Sequence, residues 1–262
     1  MQSLDPFSFN AIRFALGAIF VWFIAARKQQ GEKQIPWLLG IVLFIAATLQ
    51  QVGIMFTSAG SAGFITGLYV VIVPLFGLVR GHKLNRQIII AVLFTAIGLF
   101  LINRPGNLEV SMGNLLVLIS AFFWAWHVQL VEFYGKRFAV GYLAFSQFAI
   151  CALLSLSAFI VYYLFKQPSY LVSTLLGSSI VRAAWPILYG GLLSVGVAYS
   201  LQIKAQQTAI PSKAAVILSL EGVFALFGGW LVLAEVITLR SLFGIAFMLT
   251  AMLLSLVPKV FD

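Results

Sequence analysis

Charge is what this chain has least of: Asp, Glu, Lys and Arg together make up 9% of its 262 residues. A water-soluble domain carries about a quarter of its residues as charges, so that class is excluded at once. Cysteine is nearly absent too. Cys151 stands alone, no intrachain disulfide can form, and its apolar neighbourhood marks it as a small packing side chain. The two histidines, His82 and His127, lie in different segments with no cysteine or acidic cluster nearby, which indicates no metal site. No GxxxxGK[ST] pattern occurs, so a P-loop nucleotide site is excluded, and no carboxylate pair falls at catalytic spacing. Neither enzymatic activity nor a cofactor is expected.

Long apolar runs fill the chain instead. Hydrophobic residues make up 62% and the mean hydropathy is +1.06. A helix needs about 20 mainly apolar residues to cross the hydrocarbon, each adding about 1.5 Å. Nine segments qualify: 8–26, 35–56, 62–79, 87–103, 113–134, 140–164, 185–204, 212–233 and 241–258, with 87–103 the shortest. The expected fold class is an all-α membrane protein, a polytopic helical bundle. The longest connector, 165–184, leaves no room for a soluble domain.

A net charge of +9 would suggest nucleic acid in a soluble protein, but here its placement gives another answer. Alternating the connectors puts Arg27, Lys28, Lys33, Arg80, Lys83, Arg86, Lys136, Arg137, Lys204, Lys213 and Lys259 on one side. The other side receives only Arg104, Lys166, Arg182 and Arg240. Basic residues in short loops favour the cytoplasm, so the C-terminus is expected inside and no nucleic-acid role is assigned. The start, Ser3-Leu4-Asp5-Pro6, has the pattern of an N-cap followed by proline in the first turn. A chain that begins outside on such a turn suggests that an earlier helix is missing.

An internal repeat organises the spans. A shift of 152 lays 49–77 over 201–229 and matches Leu49-Gln50, Ala62, Ile65, Leu68, Val71 and Gly77 with Leu201-Gln202, Ala214, Ile217, Leu220, Val223 and Gly229. The expected units are a first repeat of four helices over 1–103 and a second of five over 113–258. An odd number of spans per repeat makes successive units insert in opposite orientations, a construction common in secondary transporters.

Polar residues inside hydrocarbon cost roughly 2.5–3.5 kcal/mol on insertion scales, so each needs a reason. Glu221 lies mid-span and shares a helical face with Ala214, Leu218, Ala225 and Gly228, which places it facing the bundle. It could bind substrate or carry a proton; a structural hydrogen bond to a neighbouring helix is the alternative. Ser120, Trp124 and His127 share one face, and Tyr199 and Gln202 another, continued by Gln206. Gln50 is the repeat partner of Gln202. These amides either line a cavity or bond between helices, and His127 stands close enough to a span end to be interfacial. Arg13 lies inside the first span with Asn10 and Gly17 on its face, suited to packing, snorkelling or a structural ion pair. Gly63 and Gly67 form a GxxxG pair leading to Tyr69 and Pro74; a mid-span proline should kink that helix, as a gate would need. Glu132 with Lys136, and Glu235, are placed at the interface.

Four stretches resemble the EamA family of the drug/metabolite transporter superfamily: NAIRFALGA at 10–18, AGFITGLYVVIVPL at 62–75, SAFFWAWHVQLV at 120–131 and AYSLQIKAQQTAIPSKAAVILSLEGVFALFGGWLVLAE at 198–235. The resemblance implies two inverted five-helix repeats, with the first helix lacking here, and export or exchange of small metabolites such as amino acids. It departs from the family where Gly222 replaces the proline usual after the glutamate. The expected function is a secondary transporter working by alternating access, with Glu221, Tyr199, Gln202, Gln50, Trp124, His127 and Tyr69 lining the cavity. Gly63, Gly67, Pro74, Gly228 and Arg13 would serve gating or packing. The partners are a small-molecule substrate and the lipid bilayer of a cell membrane, a bacterial inner membrane by expectation, and a homodimer is compatible with this. The rival is a non-transporting scaffold or sensor whose polar residues only pack helices.

Overall fold

A computed structural model describes residues 4–25, 34–79, 81, 85–103, 111–166, 178–234 and 236–257. Among them are nine helical spans of membrane length and no strand, the all-α polytopic class expected. The first helix, α1 (Pro6–Ile24), starts where the sequence places it. The Asp5 carboxylate accepts the backbone N–H groups of Phe7 at 2.9 Å and Ser8 at 3.1 Å, and Pro6 occupies the first turn. Such a cap contributes about 1 kcal/mol. There follow α2 (Trp37–Ile54), α3 (Ala59–Gly67), α4 (Tyr69–Val79), α5 (Arg86–Asn103), α6 (Met112–Gly135) and α7 (Val140–Lys166). Two short helices, α8 (Ser178–Arg182) and α9 (Ala184–Leu188), precede a π-helix over Tyr189–Tyr199. The chain continues through α10 (Ser200–Gln206), α11 (Pro211–Leu218), α12 (Glu221–Leu233) and α13 (Leu239–Leu256).

The chain divides into two compact units, 1–48 with 130–208 and 49–129 with 209–262. The boundaries fall inside α2 and α6. Unit one is centred on α1, which packs along α7 and against the π-helix. Phe14 and Phe148, both fully buried, meet with ring centroids 6.2 Å apart. Lipid tails are as apolar as these side chains, so close backbone approach supplies the association instead. Glycine serves it here: a Cβ at Gly141 would stand 2.7 Å from that of Ala25, and one at Gly191 would stand 3.1 Å from the Arg13 carbonyl oxygen.

Unit two is centred on α5 and α13. A Cβ on Gly244 would stand 2.9 Å from the Gly98 carbonyl oxygen, so the two helices touch backbone to backbone. Side chains pin the pair at both ends. The Gln87 amide donates to the carbonyls of Leu254 and Val257, and the Arg240 guanidinium donates to the Phe100 carbonyl at 3.0 Å. The Gly63–Gly67 pair seats α3 on α5. A Cβ at Gly63 would meet Asn103 Oδ1 at 2.5 Å, and one at Gly67 would meet Leu99 Cδ1 at 2.7 Å.

Two predicted helices are interrupted, and the interruptions repeat. Within 59–79 the α-helix breaks at Leu68, and within 211–233 it breaks at Ser219–Leu220. At the first, Leu68 N–H donates to the Ile65 carbonyl, and the Leu68 carbonyl accepts from Val71 and Ile72. At the second, Leu220 N–H donates to the Ile217 carbonyl, and the Leu220 carbonyl accepts from Val223 and Phe224. Residue for residue, this is one tight turn shifted by 152. The position before each leucine holds a weak helix former, Gly67 or Ser219, and the Ser219 hydroxyl donates back to the Val216 carbonyl at 2.7 Å. Pro74, where the sequence leads one to expect a kink, lies inside α4, and the α-helical pattern breaks six residues earlier. A single mid-span proline removes one backbone bond, which neighbouring helices tolerate.

Candidate functional site

The polar residues predicted on α2 and α6 meet in unit two. Trp124 Nε1 donates to Gln50 Oε1 at 3.2 Å, and Gln50 Nε2 donates to Thr66 Oγ1 at 3.2 Å. The amide therefore bridges an indole on α6 and a hydroxyl on α3. His127 lies one turn along from Trp124, its ring 5.8 Å away and nearly perpendicular at 86°. It is buried. Gln50 and Trp124 are half-buried, so the chain Trp124–Gln50–Thr66 lies at an accessible edge rather than within the core. Neutral donors and acceptors beside an aromatic face can exchange their mutual hydrogen bonds for those of a polar solute.

Thr66 was missed by sequence reasoning. Its clue was its place between Gly63 and Gly67 on a helix already singled out. Gln129 donates to the Val73 carbonyl at 2.8 Å and ties α6 to α4. Tyr69 is buried within the unit-two core, with Val70, Val73, Ala121 and Ala125 in the same cluster. It is the first residue of α4, directly after the break at Leu68, and its repeat partner Glu221 is the first residue of α12, directly after the break at Leu220. An acidic side chain in the first turn is favoured by the partial positive charge of a helix N-terminus.

Glu221 stands where α12 restarts after the break. Sequence spacing grouped it with Ala214 and Gly228 on an inward stripe. In the structure Ala214 is buried, whereas Glu221, Ala225 and Gly228 are exposed, and a Cβ at Gly228 would meet nothing within 4 Å. The tight turn at 219–220 resets the helical phase, so the stripe does not run through it. The buried positions of α12 include Val223 and Gly229, and Gly228 seats no neighbour among the described residues.

Tyr199, Gln202 and Arg13 belong to unit one. Tyr199 closes the π-helix, half-buried, with its ring 6.1 Å from that of Phe148. Gln202 is half-buried on α10, and Gln206 beyond it is buried. Glu132 pairs with Lys136 as the i,i+4 spacing predicts; Glu235 lies outside the described residues. The Arg13 guanidinium lies 4.8 Å from the Phe14 ring centroid and 5.3 Å from that of Phe9.

Nine helices of membrane length among the described residues define a multi-pass membrane protein. The chain belongs to the EamA-like transporter family, whose model matches residues 1–104 and 111–257. It is similar to an uncharacterized transporter of Archaeoglobus fulgidus, 30% identical over 97% of this chain and 78% of that protein. The uncharacterized transporter YoaV of Bacillus subtilis is 24% identical over 93% of this chain and 85% of its own length. A solved crystal structure covers 97% of the chain and 88% of its own with a TM-score of 0.78 at 15% identity, a likeness of fold. Family and relatives point to a transporter rather than an enzyme, acting on a small molecule across a lipid bilayer.

Proposed function

We propose that this chain is an alternating-access secondary transporter, an exporter or exchanger, of small polar or amphipathic metabolites such as amino acids. The observation that carries the reading is the duplicated helix break. Discontinuous helices related by an internal repeat are a recurring way to build a substrate site and its moving parts. The two breaks here share their hydrogen-bond pattern and the residues Ile65/Ile217, Leu68/Leu220 and Val71/Val223. The repeats are 1–103 and 113–258, inserted in opposite senses. Within unit two the substrate is held through Gln50, Trp124, His127, Tyr69 and Glu221. The turn at Leu68, packed through Gly63 and Gly67, takes part in gating. The protein resides in a cell membrane with its C-terminus cytoplasmic, as the bias of basic loops supports.

The test is flux. Proteoliposomes loaded with a mixture of amino acids and small organic acids should exchange at least one of them with the outside, read by mass spectrometry. Glu221→Gln should slow that exchange while the protein stays folded and inserted. A scaffold whose polar groups serve packing, as the Gln50–Thr66 bond also allows, would give no flux and no ligand-dependent thermal shift.

A further inference from the structure

Arg13 is a cation without an acid. It lies eight residues past the Asp5 cap, within a membrane span, and it forms no ion pair and no hydrogen bond among the described residues. Its Nε is buried and unpartnered, although the residue as a whole is half-buried. One turn earlier on the same face, Asn10 is fully buried, and neither atom of its amide has a partner. The rings of Phe9 and Phe14 flank the guanidinium, and the titratable side chains that face it are Tyr199 and Cys151. A cation over aromatic rings recovers part of the energy lost by leaving water, but rings supply no acceptors for N–H groups.

The wall opposite is unusual as well. Gly190 and Gly191 lie in the π-helix, and a Cβ at Gly190 would come within 3.8 Å of Arg13 Cδ. Departures from α-helical pairing of this kind concentrate at functional sites. The glycine backbone there lies directly against the Arg13 side chain and its carbonyl.

We infer that Arg13 anchors an anion site in unit one, taking the oxyanion of an amphipathic molecule, with the Asn10 amide and the Tyr199 hydroxyl as further donors. The planar guanidinium fork matches two oxygens of a carboxylate or of a phosphodiester, and the Phe9 and Phe14 rings accept an apolar portion. Two sources carry that chemistry: a small free carboxylate and the headgroup of an anionic lipid. The site stands whether or not solute flux depends on Gln50 and Glu221, so its failure and that of the transport reading are separately visible.

The experiment uses the full chain in phosphatidylcholine nanodiscs and follows the thermal unfolding midpoint. Hexanoate should raise the midpoint with dose, and hexanamide, which has the same tail without the charge, should not. Arg13→Gln should abolish the response, and Arg13→Lys, which lacks the planar fork, should weaken hexanoate binding about tenfold, or about 1.4 kcal/mol. Nanodiscs containing phosphatidylglycerol form the second arm. A midpoint raised by that lipid and insensitive to hexanoate, with the effect lost in Arg13→Gln, assigns the site to the lipid phosphodiester. Should Arg13→Gln fail to fold, Asn10→Ala and Tyr199→Phe must each weaken the anion response. A hexanoate response retained in Arg13→Gln, an equal response to hexanamide, or no response to either anion overturns the inference.

Discussion

Two glycines in similar helices should answer the same substitution with opposite signs. At Gly67 an added Cβ would lie 2.7 Å from Leu99 Cδ1 and 3.0 Å from Cδ2, whereas carbon pairs are most stable about 3.5–4.0 Å apart. The overlap falls on the end of a leucine side chain. That leucine is 2% exposed and packed in the unit-two core, so it has little room to retreat. Overpacking of this type costs about 1–3 kcal/mol. Alanine gains up to about 1 kcal/mol over glycine in helix propensity, so Gly67→Ala should destabilise by roughly 0–2 kcal/mol net. At Gly228 there is no neighbour within 4 Å, and only the propensity gain of up to about 1 kcal/mol is left, so Gly228→Ala should be neutral or stabilising. Unfolding titrations in mixed detergent–lipid micelles, monitored by the six tryptophans, measure both differences. Leu99→Ala should relieve the clash, making Gly67→Ala less harmful in that background than in the native one. Equal effects of the two glycine substitutions, or no relief by Leu99→Ala, would refute the packing argument.

Three other outcomes follow from the same geometry. In a double-mutant cycle of Gln50→Leu and Thr66→Val, the coupling should be about 0.6 kcal/mol and no more than about 2, as for interhelical hydrogen bonds in lipid; zero coupling in unfolding titrations would remove that bond. Asp5→Ala should cost about 1 kcal/mol and Asp5→Ser much less, because serine also caps; equal losses would show that the charge, not the cap, matters. Glu221→Gln in proteoliposomes should lower flux with no loss of folded protein on gel filtration, and unchanged flux would take Glu221 out of the mechanism.

Most of the fold was legible because bilayer thickness dictates helix length, and each span shows that length as an apolar run. The cap at Asp5 and the seat at Gly63–Gly67 were legible for local reasons: few residue types satisfy a helix start or a backbone-close contact. The breaks at Leu68 and Leu220 were not, since leucine is a good helix former and the eye goes to Pro74. Their only sequence trace was that the repeat put weak helix formers, Gly67 and Ser219, at one shared position. The second break separates Glu221 from Ala214, because helical spacing carries phase only through uninterrupted α-helix. Thr66 escaped because a threonine in a membrane helix bonds its own backbone as readily as a partner's side chain.

The π-helix over Tyr189–Tyr199 has a consequence for how this chain tolerates insertions and deletions. Its i→i+5 bonding holds surplus residues relative to an α-helix of the same rise, so the segment is a reservoir of slack. Removing one residue there would let the ladder relax toward i→i+4 bonding while turning everything downstream by about 100°, the angular step of one α-helical residue. Tyr199 would then swing away from Arg13 although no atom of either had been altered. Length variation inside 189–199 is therefore a way to retune the surroundings of that arginine with the helices on either side left intact.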